Sequence, residues 1–164
     1  MTFGFGDYWI TDAKATIRER SHDIFRLLQN AYWMDGRDEK VMGKAIENSQ
    51  NFAVFENGTD KVVGYARVVT DYATFYYLCD VFVDEEYRGR GIGKTMLDWI
   101  ILEEAKWNGL KGMLKTQDAM DLYRKYGFEE CESVCMIRKK QRQNLNVCLT
   151  TSILQIEGKE VRVT

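Results

Sequence analysis

The sequence predicts an α/β protein of the α+β kind, with a mixed, largely antiparallel central sheet flanked by helices. Three observations carry this expectation. Two β-patterned runs flank an Asn57-Gly58 turn, the signature of an antiparallel hairpin. The run from Phe75 to Val83 is rich in aromatic and β-branched residues and suits a buried strand. Segments of helical periodicity precede the hairpin and follow that strand, so helices are expected on the faces of the sheet.

Taken in order, Tyr8 to Ile10 is the first expected strand. Ser21 to Ala31 reads as a helix with Ser21 as N-cap and Ile24, Phe25, Leu27 and Leu28 on its apolar side. A second helix, Asp38 to Asn48, presents Val41, Met42, Ala45 and Ile46 at helical spacing. Phe52 to Phe55 and Val62 to Val69 form the hairpin, and Phe75 to Val83 extends its sheet. A helix from Ile92 to Trp107, a short strand Gly112 to Lys115, a helix Asp118 to Tyr126, and strands near Phe128 to Cys131 and Val134 to Ile137 complete the layer. In the tail, Leu145, Val147 and Leu149 alternate with Asn146 and Cys148, and Glu157-Gly158-Lys159 can turn the chain before Val161 and Val163. An added C-terminal β-hairpin is expected there, its apolar face packed on the domain's own sheet edge or against a second subunit, which makes a homodimer an expectation. The domain reading is therefore 1–140 for the main domain and 141–164 for a C-terminal extension.

Composition narrows the functional classes. With 164 residues and 45% hydrophobic content the chain can bury a sizeable core without disulfide staples. A formal net charge of −2 offers no basic field for nucleic acid. Charges at Asp7, Asp12, Lys14, Arg18, Glu19 and Arg20 leave no apolar core for a signal peptide, and no apolar run approaches the ~18 residues of a membrane span. The four cysteines form no CxxC pair, and Cys131 with Cys135 is a CxxxC without a nearby histidine. Buried reduced thiols and no metal site are the expectation, which suits a cytoplasmic protein.

The stretch from Asp80 to Lys94 carries the chemistry. Gly89, Gly91 and Gly93 alternate with Arg88, Arg90, Ile92 and Lys94 between the strand and the helix. Without Cβ atoms the backbone lets a ligand approach its N–H groups, and the unpaired N–H groups of a first helical turn favour an anion such as pyrophosphate. Two familiar phosphate loops do not fit. A Walker A loop ending at Gly93-Lys94 would need glycine where Arg88 stands, and GxGxxG fails because Lys94 occupies the third glycine's place.

Arg88, Gly91 and Gly93 do fit the pattern R/Q-x-x-G-x-G/A, and the chain thereby resembles the GNAT superfamily of N-acetyltransferases. A second block, Thr116-Gln117-Asp118-Ala119-Met120-Asp121-Leu122-Tyr123-Arg124-Lys125-Tyr126-Gly127-Phe128, is similar to the family's later motif of an alanine, a Leu-Tyr pair and Gly-Phe. The resemblance spans Asp7 to Lys139. It implies acetyl-coenzyme A as cosubstrate, held at Phe82, Val83 and the loop residues Arg88, Gly89, Arg90, Gly91, Ile92, Gly93 and Lys94. Thr116, where the family often has asparagine, would lie at the coenzyme arm. It also implies Tyr123 near the coenzyme sulfur as a general acid, and Asp80 as a candidate base acting on the amine directly or through water.

The residues themselves bear on the mechanism. His22 is the only histidine and sits in the first long helix, so a serine–histidine or cysteine–histidine device has little support and direct attack is favoured. Asp80 lies within the apolar run Leu78-Cys79-Asp80-Val81-Phe82-Val83, where a carboxylate is costly unless hydrogen-bonded or functional. A structural Asp80 bonded to backbone remains open beside the base, with Asp71 and Glu56 as further candidates. The acceptor would be a small-molecule or peptide amine, walled by the segment Tyr32-Trp33-Met34-Asp35-Gly36-Arg37 and by aromatics among Tyr72, Phe75, Tyr76 and Tyr77. Tyr32, Trp33, Phe75 and Tyr77 are the candidate contacts. The alternative from another class is a non-catalytic acyl-coenzyme A sensor or regulatory module, which needs the loop but not Tyr123.

Overall fold

The computed structural model describes residues 1–34, 36–103, 109–131 and 136. The chain divides into two units, Met1–Glu130 and Cys131–Thr164, and every described helix and strand belongs to the first. Its strands are β1 (Thr2–Phe5), β2 (Tyr8–Thr11), β3 (Gln50–Glu56), β4 (Val62–Thr70), β5 (Phe75–Val83) and β6 (Lys111–Leu114). Its α-helices are α1 (Lys14–Glu19), α2 (Ser21–Leu28), α3 (Glu39–Glu47), α4 (Ile92–Leu97) and α5 (Met120–Arg124). The six strands form one sheet in chain order, antiparallel at every junction until β5 and β6, which run parallel.

Each face of the sheet buries its own layer. Ile10, Phe52, Val54, Ala66 and Val68 pack with Ile92, Met96 and Leu97 of α4 on one side. Ala53, Phe55, Tyr65 and Phe82 pack with Ile17, Ile24, Leu28, Met42 and Ile46 of α1 to α3 on the other. Helix α3 starts at Asp38, whose side chain accepts a hydrogen bond from the Val41 N–H at 2.7 Å and satisfies one of the first-turn donors.

Several expectations need correction. The chain opens with a β1–β2 hairpin and the short helix α1, of which only the β2 strand has a clear signal in the residue pattern. Ser21 is the first residue of α2 rather than its cap, because α1 runs into α2 through Arg20. Val41 is 51% exposed while Met42 and Ile46 carry the apolar face of α3. The helix beginning at Ile92 is α-helical to Leu97 and then widens to a π-helix over Asp98–Glu103, and the remainder of the expected helix lies outside the described residues. No strand forms at Phe128 to Cys131. Gly127 takes φ +80°, and the Phe128 N–H returns to the Tyr123 carbonyl at 3.2 Å, a left-handed cap that satisfies the end of α5 and commits the backbone there. Cys131 is exposed rather than buried and Cys79 is partly buried; both are free thiols. Cys135, Cys148, the strand at Val134 to Ile137 and the tail hairpin lie outside the described residues.

Among the described residues no helix is long and apolar enough to cross a membrane. Among the same residues no group of three or more His, Cys, Asp or Glu side chains is placed to hold a metal ion.

Candidate active site

The site begins where the sheet stops being regular. Strand β4 pairs Tyr65 with Phe82 and then Arg67 with Cys79, so one β4 residue faces two on β5, a β-bulge at Asp80 and Val81. Asp80 takes φ +54°, a left-handed conformation uncommon for a non-glycine residue. The bulge resets the two-residue alternation of β5. Before it Tyr76 and Leu78 face the α4 layer; after it Val81 and Val83 face that layer, and Phe82 turns to the α2–α3 layer.

Asp80 is buried, and two arginines meet it. Its Oδ2 accepts from Arg67 Nε at 2.8 Å and its Oδ1 from Arg37 Nη1 at 2.9 Å. Arg67 Nη1 also donates to Ser49 Oγ at 3.0 Å. Burial works against the Arg67 charge, but the Asp80 carboxylate outweighs it and holds the guanidinium above its usual pKa.

The second irregularity is a splay. Strands β5 and β6 pair from Phe75 with Lys111 to Leu78 with Leu114, and there pairing ends while β5 runs on to Val83. A cleft of about 530 Å³ opens at that fork. Leu78, Cys79, Asp80 and Val81 line it from β5, and Leu114, Lys115, Thr116, Gln117, Asp118 and Ala119 from the other arm. Tyr32, Trp33 and Arg37 close it from the segment before α3, Arg67 and Val69 from β4, and Tyr123 from α5.

Tyr123 is buried, its ring edge-on to Phe128. Among the described residues its hydroxyl has no hydrogen-bond partner. Burial, helped by the Asp118 carboxylate and then by Tyr32, pushes that hydroxyl up to about 12, so it keeps its proton at neutral pH. Burial likewise pushes the Cys79 thiol up to about 11 against the opposing pull of Arg67. A thiol so held is a poor nucleophile.

Beyond the far end of β5, Gly89 and Gly91 take φ +77° and +81°, and Gly91 is the left-handed N-cap of α4. The first intrahelical bond runs from the Thr95 N–H to the Gly91 carbonyl at 2.9 Å. The N–H groups ahead of Thr95 therefore have no acceptor within the helix, the requirement for binding an anion. Arg88 lies 5.6 Å over the Phe82 ring and pairs with Glu85. Arg90 is drawn away to Tyr8 Oη at 3.2 Å and the Glu86 carbonyl at 3.1 Å. Lys94 is spent on Asp98, which also accepts from Tyr126 Oη at 2.7 Å.

Among the residues singled out in the sequence, the cleft gathers Asp80, Tyr123, Thr116, Tyr32, Trp33 and Tyr77. Thr116 Oγ1 accepts from the Ala119 N–H at 3.1 Å, which fixes the turn into α5. Phe75 does not line the cleft; it is half-exposed on the paired part of β5. Phe82 and Ile92 put their side chains into the core, so only their backbone can serve a ligand at the loop. His22 is exposed and bonded to Glu39 at 2.7 Å. Sequence reasoning missed Arg67 as a site residue and named Arg37 only as the end of the segment expected to wall the acceptor. Arg67 carried the same signal as Asp80, a charge inside an apolar strand pattern, and the two charges are each other's explanation.

The model of the acetyltransferase (GNAT) domain matches residues 48–130 of the chain. Over 139 residues the chain is 30% identical to an inferred acetyltransferase of Gibberella zeae, spanning 73% of this chain and 77% of that relative. A crystal structure of an inferred GNAT-family acetyltransferase from Xanthomonas campestris pv. campestris is similar at TM-score 0.65 and 33% identity, over 79% of this chain and 89% of that one. An inferred acetyltransferase of Clostridium acetobutylicum, solved with acetyl-CoA, matches at TM-score 0.59 over 84% and 96% of the two chains; at 18% identity it bears on the fold alone. The chain belongs to the GNAT acetyltransferase family.

Proposed function

We propose that the protein is an acetyl-CoA-dependent N-acetyltransferase that moves an acetyl group to a primary amine by direct attack, with Tyr123 as general acid. The observation that carries this reading is Tyr123 itself, a buried tyrosine lining the cleft at the fork of β5 and β6, whose burial pushes its hydroxyl pKa up.

The residues fit the cosubstrate. First-turn N–H groups from Gly91 to Lys94 would hold its pyrophosphate, and Leu114 to Thr116 with Val81 would flank its arm. Acetyl-CoA supplies an activated acyl group as a thioester. The amine nitrogen gains the acyl bond and loses a proton, the carbon–sulfur bond breaks, and Tyr123 Oη gives its proton to the departing sulfur. Water returns the amine's proton to Tyr123.

Asp80, one candidate for the base, takes a different part in this reading. Both of its oxygens already accept charge-assisted hydrogen bonds, and taking a proton would cost one of them. Its role is to hold Arg37 and Arg67 in place beside the cleft. Cys79 also lines the cleft, but its raised pKa argues against an acetylated enzyme thiol and so for direct attack.

The test is turnover of a panel of primary amines with acetyl-CoA, followed by free thiol release. Tyr123→Phe keeps the ring and should lower kcat by roughly 10- to 1000-fold with little change in acetyl-CoA affinity. Full activity in that variant would remove Tyr123 from the mechanism. Mass spectrometry after incubation with acetyl-CoA alone should show unmodified protein. Tight binding without thiol release from any amine would favour the sensor reading.

A further inference from the structure

We infer that the acceptor carries an oxyanion, a carboxylate or a phosphate, and that Arg37 recognises it. The inference deepens the acetyl-transfer reading and rests on it. Among the described residues, Arg37, Arg67 and Lys115 line the cleft against the carboxylates of Asp80 and Asp118, leaving one positive charge unmatched.

That excess is placed by geometry. Arg67 is largely buried and divides its donors between Asp80 and Ser49. Arg37 is the more open of the two, with 37% of its side chain exposed, and reaches Asp80 through Nη1 alone. Nη1 also lies 3.8 Å from Met34 Sδ, a weak contact. Among the described residues Nε and Nη2 of Arg37 have no partner. A guanidinium with one nitrogen held and two others unspent presents a planar fork, the geometry that carboxylate and phosphate groups accept in pairs.

Asp80 makes this fork usable. An arginine in solvent loses side-chain freedom when it grips a ligand, whereas Arg37 is already ordered by a carboxylate that Arg67 anchors from β4. The β-bulge aims that carboxylate at both arginines, and the left-handed backbone of Asp80 is the conformational cost of doing so. Beside Arg37 the aromatic pair Tyr32 and Trp33 offers ring surface. The same wall disfavours polyamines and polybasic peptides, which would bring positive charge to a positive site.

The experiment compares amines that differ only in the anion: alanine against alaninamide, and phosphoethanolamine against ethanolamine. Thiol release gives kcat/KM for each with wild-type protein, Arg37→Gln and Arg37→Lys. The anion-bearing member of at least one pair should be preferred by about 10- to 100-fold, mainly through KM. Which pair shows it identifies carboxylate or phosphate as the group. The preference should collapse in Arg37→Gln and recover only in part in Arg37→Lys, which keeps a charge for Asp80 but not the fork. Equal use of both members of both pairs, or a preference that survives Arg37→Gln in folded protein, overturns the inference.

A calorimetric titration of the protein with the same amines keeps the two readings apart. Failure to bind acetyl-CoA or to release thiol with any amine would refute the acetyl-transfer reading. The anion site would then stand if alanine or phosphoethanolamine bound to wild type and not to Arg37→Gln, and fall if neither bound.

Discussion

Asp80 Oδ2 and Arg67 Nε lie 2.8 Å apart across β4 and β5, at the place where the two strands lose register. The ion pair and the bulge depend on one another. Without the extra residue in β5 the alternation would send the carboxylate to the apolar α4 layer, away from Arg67.

Removing the charge of Asp80 leaves Arg67 buried without its partner. Asp80→Asn should lower stability by on the order of 3 kcal/mol, read as a drop in the urea midpoint with an unchanged slope. Its effect on kcat/KM should be the same at all pH values, as a positioning role requires. A loss concentrated at low pH, where the amine is mostly protonated, would instead make Asp80 the base.

The glycine loop separates folding from binding. Gly91→Ala forces a side chain into φ +81° and should cost about 1–2 kcal/mol of stability. Gly93 has ordinary space, since an added Cβ would lie 3.5 Å from Val83 Cγ2. Gly93→Asp should therefore fold and yet lose acetyl-CoA binding severely by calorimetry, because its carboxylate would sit against the bound anion. Unchanged affinity in folded Gly93→Asp would remove the loop from the site.

The pH profile reports on the acid. Tyr123 must keep its proton to donate it, and with its pKa raised to about 12 that form is lost only as pH rises through that value. The rate should climb as the acceptor amine deprotonates and then level, with no decline up to about pH 10, where an ordinary tyrosine would already be half ionised. A descending limb centred near pH 10 would contradict the environment assigned to Tyr123.

Alkaline stability follows from Tyr65. Burial holds its pKa well above the ordinary tyrosine value, and its hydroxyl donates to Asn51 Oδ1 at 2.5 Å. A folded-state pKa above the unfolded one stabilises fully below the unfolded value of about 10 and is lost as pH rises toward the folded one. Melting temperature should fall above about pH 10. Tyr65→Phe should start lower by about 1–3 kcal/mol, because Asn51 keeps a buried acceptor unpaired, and should decline less steeply. Parallel curves for the two proteins would refute the assignment.

Much of this protein is legible in local chemistry alone. The Asn57-Gly58 turn, the β-patterned run from Phe75 to Val83 and the alternation of Gly89, Gly91 and Gly93 each act over a few residues, and all lie where their spacing places them. The same is true of Tyr123 in its helix. Short-range signals fail where a neighbour in sequence is overruled by one in space. Phe128 suits a strand by composition, but capping of α5 through Gly127 and packing on Tyr76 and Tyr123 decide otherwise. Asp80 is visible as a carboxylate out of place, whereas its partners cannot be read from spacing. Arg67 comes from the neighbouring strand and Arg37 from the segment before α3, and only a bulge that reverses the facing of β5 brings the three together. The sequence by itself determined most of the elements and the glycine turns ahead of α4, because those rest on backbone preference and periodicity. The tertiary structure alone decided the charge of the cleft, because ion pairing depends on distances that the chain sets only once folded.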